Sequence, residues 1–284
     1  MHSFRLIYKN YSNSIFLYHY PQANYFPQQN YVSPMQMDAG FNSGLDALSR
    51  CPSVFIKQRP DYLETLGLCE KKNAYFVYQS DSMGNKPDFK QQAPIFKCKE
   101  ESSCWQRNCL PGACRGFDLK VKQYNERQDT NTVFRMSREY KCTFLCFGRP
   151  VMEVQLENGG KIGSIYYPFM CCDKGVDILD ENDQIVYQIR GSCCQWPFLV
   201  NLPCETCQRA RFDIIDSQGQ KISELWKESA GFCNALCDVD ATNFRLLFPP
   251  QSSSRQKALL LSAALFIDFN YFEESPQDKQ NNQF

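Results

Sequence analysis

Sixteen cysteines are spread along the chain, and thiols can do several kinds of chemistry. Oxidised in pairs, they would form a disulfide framework, which requires a secretory route. The start of the chain does not show one, because polar residues and Lys9 interrupt any apolar stretch. A zinc site is suggested by Cys193-Cys194 and Cys204-Glu-Thr-Cys207. A four-cysteine zinc ribbon carries two C-x-x-C pairs, however, and this chain has one. A third reading is reduced cytosolic thiols, some carrying fatty acyl chains. The commonest fate of any single cysteine is simpler: a small buried hydrophobe.

The two histidines, His2 and His19, lie close to the start. The folded part therefore has none. That removes Ser-His-Asp triads, Cys-His nucleophiles and histidine-containing zinc sites together. Nothing in the spacing of Asp and Glu points to a pair of carboxylates for hydrolysis. No organic cofactor motif is present either. With 31 basic and 31 acidic residues the formal net charge is zero. A broad electrostatic footprint for nucleic acid is not expected from that balance.

What positions these residues follows from a change of composition near Gly44. Residues 1–43 are rich in Tyr, Asn, Gln and Pro (Tyr18, Tyr20, Pro21, Tyr25, Pro27), and Asp38 is the first acid. This stretch reads as a disordered tail whose aromatic residues suit weak self-association or protein partners. Residues 44–274 read as the folded domain and 275–284 as a polar C-terminal tail. A short helix is expected from Pro60-Asp-Tyr-Leu-Glu64 to about Gly67.

Alternating strands follow. Ala74-Tyr-Phe-Val-Tyr78 leads to Ser82-Met-Gly-Asn85, and Phe117-Asp-Leu-Lys-Val-Lys122 precedes Thr132-Val-Phe-Arg-Met136. Three hairpins then repeat one pattern. Their turns are Asn158-Gly-Gly160, Glu181-Asn-Asp183 and Ser217-Gln-Gly219. The strands number about a dozen, enough to split into a sandwich or to close into a barrel without edges.

One segment breaks the pattern. Ala258-Leu-Leu-Leu-Ser-Ala-Ala-Leu-Phe-Ile267 is apolar on every side, so a helix here must be wrapped by protein or by lipid. A bilayer span needs about 20 apolar residues, and runs of roughly 10–14 are more often core helices. This run stops at Asp268, which would cost roughly 2.5–3.5 kcal/mol at a bilayer centre. Ser253-Ser-Arg-Gln256 fits a capping box at its start, and Pro276 lies past its end. The expected fold is mainly β: a closed antiparallel barrel of about twelve strands around a central helix at about 254–273. Leu260, Leu261, Leu265, Phe266 and Ile267 would fill its lumen.

At this point the chain resembles the phospholipid scramblases, over about residues 44–273. The resemblance rests on Leu63-Glu-Thr-Leu66, Trp105-Gln-Arg-Asn-Cys109, the basic then cysteine-rich stretch from Arg138 to Cys146, Ile162-Gly163 and Trp226-Lys227. Asp240-Ala-Thr-Asn-Phe244, Phe248-Pro249, Lys257-Ala-Leu-Leu and Phe266-Ile-Asp-Phe269 supply a C-terminal signature. The resemblance implies a tubby-like, twelve-stranded barrel. It implies attachment to the cytoplasmic face of a membrane, the plasma membrane, through acylated cysteines. The implied activity is calcium-stimulated, ATP-independent exchange of phospholipids between leaflets, without covalent chemistry. The alternative is a non-catalytic acylated adaptor or lipid-binding module that recruits partners through its N-terminal tail.

Under this reading Cys142 and Cys146 are the first candidates for acylation, beside the membrane-facing cations Arg135, Arg138 and Lys141. One acyl chain anchors marginally, so at least two signals are expected. Cys171, Cys172, Cys193 and Cys194 rank second. The calcium segment of the family falls on residues 240–251, with Asp240 and Thr242 as candidate ligands. Calcium takes about six to eight oxygens. Phe244 and Phe248 offer none from their side chains, and Gln251 replaces a closing acid. Weak or absent calcium binding is the expectation.

Overall fold

A computed structural model describes residues 44–60, 73–101, 116–124, 131–140, 148–171, 173–195, 209–228 and 243–272. It begins with one turn of helix, α1 (Asp46–Ser49). Twelve strands follow: β1 (Ser53–Pro60), β2 (Asn73–Ser80), β3 (Phe96–Glu101), β4 (Phe117–Gln123), β5 (Thr132–Arg138) and β6 (Val151–Leu156). The second half comprises β7 (Lys161–Tyr166), β8 (Asp173–Asp180), β9 (Ile185–Ser192), β10 (Arg209–Asp216), β11 (Lys221–Glu228) and β12 (Asn243–Leu247). The last element is α2 (Ser254–Tyr271).

Each strand pairs antiparallel with its neighbours in sequence, and β12 closes onto β1. Closure leaves no unpaired edge. Pro60 ends β1 opposite Asn73. The short helix expected after it, from the Asp-x-x-Glu start to about Gly67, lies outside the described residues.

Alternation assigns the two faces of the wall. In β3, Phe96, Cys98 and Glu100 are buried while Lys99 and Glu101 are exposed. In β5, Phe134, Met136 and Arg138 turn inward and Arg135 outward. The three repeated hairpins share one turn. The N–H groups of Gly159, Asp183 and Gly219 bond back to the carbonyls of Leu156, Asp180 and Asp216. All three donors have positive φ, at 85°, 60° and 81°. A register shift follows in each strand. This is a three-residue loop closed by a bulge with a left-handed residue. Asp180 and Asp216 hold it by accepting two backbone N–H bonds each.

The interior is filled by α2. Residues from Lys257 to Phe269 are all buried on this eighteen-residue helix. Its start is the expected capping box: the Gln256 N–H donates to Ser253 Oγ, and the Ser253 N–H donates to Gln256 Oε1. Helix and wall approach closely at β7. A Cβ added to Gly163 would lie 2.2 Å from the Leu179 carbonyl oxygen and 3.0 Å from Leu259 Cδ2. Among the described residues no helix is long and apolar enough to cross a membrane.

Both ends of α2 are pinned. At its start the Lys257 ammonium donates to the carbonyls of Leu48, Ser49 and Cys51, at 3.0, 2.9 and 2.8 Å. That satisfies carbonyls left over at the end of α1. At its other end Asp268 faces Lys227 of β11 at 3.5 Å and accepts a 2.8 Å bond from the Tyr75 hydroxyl. Both members of this ion pair are buried.

Candidate functional site

Strand direction divides the connections into two kinds. At one rim lie the tight turns, α1 and the start of α2. At the opposite rim the chain leaves and re-enters between strands through 61–72, 102–116, 139–150, 167–172, 193–208 and 229–242. Apart from Cys51 and Cys98, every one of the sixteen cysteines falls in one of these stretches. Thiols far apart in sequence therefore belong to connections rooted at a single rim, the one where α2 ends.

The described thiols have contrasting surroundings. Cys171 and Cys194 are exposed and Cys193 is half-buried. The Sγ atoms of Cys193 and Cys194 lie 3.8 Å apart, and the bond from Cys194 raises the Cys193 thiol above its ordinary range. Cys98 points into the lumen, where burial pushes its thiol up to about 12. Burial also raises Cys51, with Lys257 opposing. A thiolate is the reactive form. Iodoacetamide at neutral pH should therefore modify Cys171 and Cys194 in the native chain and leave Cys98 untouched until the barrel unfolds. Mass spectrometry of the labelled peptides checks this, and native labelling of Cys98 would contradict the lumen assignment.

The remaining acylation candidates Cys142, Cys146 and Cys172 lie outside the described residues, as do Lys141, Asp240 and Thr242. Leu260, Leu261, Leu265, Phe266 and Ile267 lie in the lumen, each fully buried.

Arg138 is a correction. It was expected to face a membrane beside Arg135, but it is 3% exposed and points into the barrel. Its Nη1 donates to Asn270 Oδ1 at 3.0 Å, and its guanidinium lies over the rings of Phe117 and Phe266. The reason is the period of a strand. Residues an odd number apart point to opposite faces, so Arg135 and Arg138 cannot share a surface on β5.

The calcium segment divides as well. Phe244 is fully buried on β12, and Phe248 packs against the Lys257 ammonium. Because β12 runs from one rim to the other, residues before 243 and after 247 join the barrel at opposite ends. A ligand set spread over 240–251 does not belong to one loop, whereas calcium loops gather oxygens from a short, tightly turned segment.

What the sequence reading missed is a cationic wall. The outward residues Lys97 and Lys99 of β3 stand opposite Lys122 and Lys120 of β4, and Lys120 stands opposite Arg135 of β5. Like charges directly opposite are destabilising. Glu101 pairs with Lys120 at 2.7 Å, and Glu157 lies 4.0 Å from Arg135. Among the described residues no carboxylate pairs with Lys97, Lys99 or Lys122. The signal was available in the sequence: Lys-x-Lys at strand spacing, twice, in neighbouring strands.

The wall across β10, β11 and β12 is built differently. There Asp213 faces Glu224, but Lys221 bridges both, at 2.8 and 2.5 Å. Arg211 also pairs with Glu224, and Glu228 lies 3.0 Å from Arg245. The face of β3 to β5 sets only Glu101 and Asp118 against its five cations and keeps a positive excess.

Taken together, the fold and these surfaces define a plugged antiparallel barrel with a thiol-bearing rim and a cationic flank. Comparison with known proteins places it. The Scramblase family model matches residues 31–274, and the chain belongs to the scramblase family. It is 26% identical to phospholipid scramblase 1 of Rattus norvegicus over 245 residues, 84% of this chain and 65% of that protein. It is 28% identical to phospholipid scramblase 1 of Homo sapiens over 243 residues, 84% of this chain and 69% of that protein. For phospholipid scramblase 4 of Homo sapiens the identity is 26% over 242 residues, 83% of this chain and 66% of that protein. The chain thus spans about two thirds of the length of these relatives, 65% for the rat protein. No solved structure matches it.

Proposed function

We propose that this chain is a phospholipid scramblase, exchanging phospholipids between membrane leaflets in both directions without ATP. The observation that carries the reading is the family match across the barrel, residues 31–274. No covalent step is required of it. Attachment is to the cytoplasmic face of the plasma membrane through acylated cysteines, Cys142 and Cys146 first, with Cys171, Cys172, Cys193 and Cys194 behind them. The gathering of cysteine-bearing connections at one rim supports this, since two acyl chains anchor where one does so marginally. Calcium at residues 240–251 is weak or absent in this reading, because the segment supplies few oxygens and straddles a strand.

The packed lumen directs the mechanism outward. A head group crossing hydrocarbon needs a continuous polar path, and α2 occupies the space inside the barrel. Lipid exchange would take place at the outer surface of the protein, where it meets the bilayer. The same observation favours the second reading, an acylated adaptor that recruits protein partners through its Tyr- and Gln-rich tail.

Reconstitution separates the two. The full chain in vesicles carrying a labelled phospholipid is expected to speed leaflet exchange above that of empty vesicles, with no added nucleotide. Exchange at the rate of empty vesicles would reject the scramblase reading and leave the adaptor.

A further inference from the structure

A chain of zero net charge has no need to crowd cations on one wall. The outer face of β3, β4 and β5 does so. Neighbouring strands lie about 4.8 Å apart, so the row Lys99, Lys120 and Arg135 extends roughly 10 Å across the sheet. A second row, Lys97 and Lys122, lies two residues along. Beside them is a concave strip of about 320 Å³ lined by Phe76, Phe89 and Tyr124 together with Lys90, Gln91 and Gln92. Lys97 sits over the Phe76 ring at 5.4 Å, and Lys57 over the Phe89 ring at 4.2 Å.

We propose that this wall is a docking surface for anionic phospholipid bilayers, independent of any acyl chain. Each feature fits a plane of head groups. The two rows spread cations over three strands, with Glu101 and Asp118 at one edge, rather than in a file along a groove. The adjoining concave strip sets the half-buried Phe76 and Phe89 rings and the exposed Tyr124 among polar side chains, and a tyrosine so placed suits a membrane interface. The facing like charges, of which Lys97, Lys99 and Lys122 have no carboxylate partner among the described residues, cost stability in water and are relieved by phosphate. The self-neutralised wall of β10 to β12 shows that the same sheet can pair its charges.

The docking does not rest on the lipid-exchange reading. A chain that binds vesicles yet exchanges no lipid would reject that reading and leave this one standing.

The test uses the full chain made without acyl chains, cosedimented with vesicles. Phosphatidylcholine vesicles containing phosphatidylserine should bind it in a salt-sensitive way, and pure phosphatidylcholine vesicles should not. Each cation near an anionic surface is worth roughly five-fold in partition. Lys99→Gln with Lys122→Gln should therefore lower binding on the order of 25-fold. The melting temperature of this variant should hold or rise, because facing like charges have been removed. Lys161→Gln with Arg255→Gln removes the same charge away from this wall, beside the β8–β9 turn, where both cations are paired, and should bind as the parent does. Four results would overturn the proposal: unchanged binding by the first variant, equal loss in the second, equal binding to neutral vesicles, or capture of duplex DNA without capture of anionic vesicles.

Discussion

Asp268→Ala is expected to destabilise the barrel by about 3–5 kcal/mol, the range for breaking a buried ion pair from one side. The substitution leaves the Lys227 ammonium, 3% exposed, without its carboxylate. The Tyr75 hydroxyl loses its 2.8 Å acceptor at the same time. The rings of Phe272 and Phe244, 3.2 and 5.9 Å from the ammonium, offer it partial compensation. A double variant, Lys227→Met with Asp268→Leu, should recover most of the loss, since an apolar pair of similar volume avoids desolvating two charges. Urea denaturation of the parent and the two variants measures this. A single-variant loss under about 1 kcal/mol, the size of an exposed pair, would show that the site is wet.

Phe266→Ala should cost a similar amount, about 3–5 kcal/mol, through lost burial and a cavity that the closed wall cannot collapse to fill. Phe266 is fully buried on α2, and it packs under the Arg138 guanidinium at 5.8 Å. Phe169→Ala is the internal comparison. That ring is 56% exposed, and a surface change of this kind stays within about 0.5 kcal/mol. Equal losses at the two positions would contradict the placement of α2 in the lumen. A domain of this kind is stable by only about 5–15 kcal/mol, so either core variant should also lower the amount of folded chain.

The barrel was legible because its signals are local. The turns at Asn158, Asn182 and Gln218, the alternation on both sides of each, and the box from Ser253 to Gln256 need only neighbours along the chain. β1, β3 and β12 were not singled out. Ser53-Val-Phe-Ile56 is buried on both faces of the wall, so the alternation that marks a half-buried strand is absent there. Phe55 faces outward, yet it is covered by Phe89, whose ring centroid lies 5.6 Å away. The site residues were less legible, because nearness in sequence is a poor guide to nearness in space. Arg135 and Arg138 look like one basic cluster and are parted by the wall.

The sequence by itself determined that an apolar helix had to be hidden and that a run of hairpins could enclose it. Hydrophobic burial and turn chemistry are properties of short segments, and they leave little choice. Which charges stand together was decided only by the closed sheet. Register between strands sets Lys99, Lys120 and Arg135 side by side on the outside, and it turns Arg138 and Lys227 inward to meet the end of α2. Pairing of this kind depends on residues far apart in the chain, so the local Lys-x-Lys repeats tell which cations share a face but not which strands bring them together.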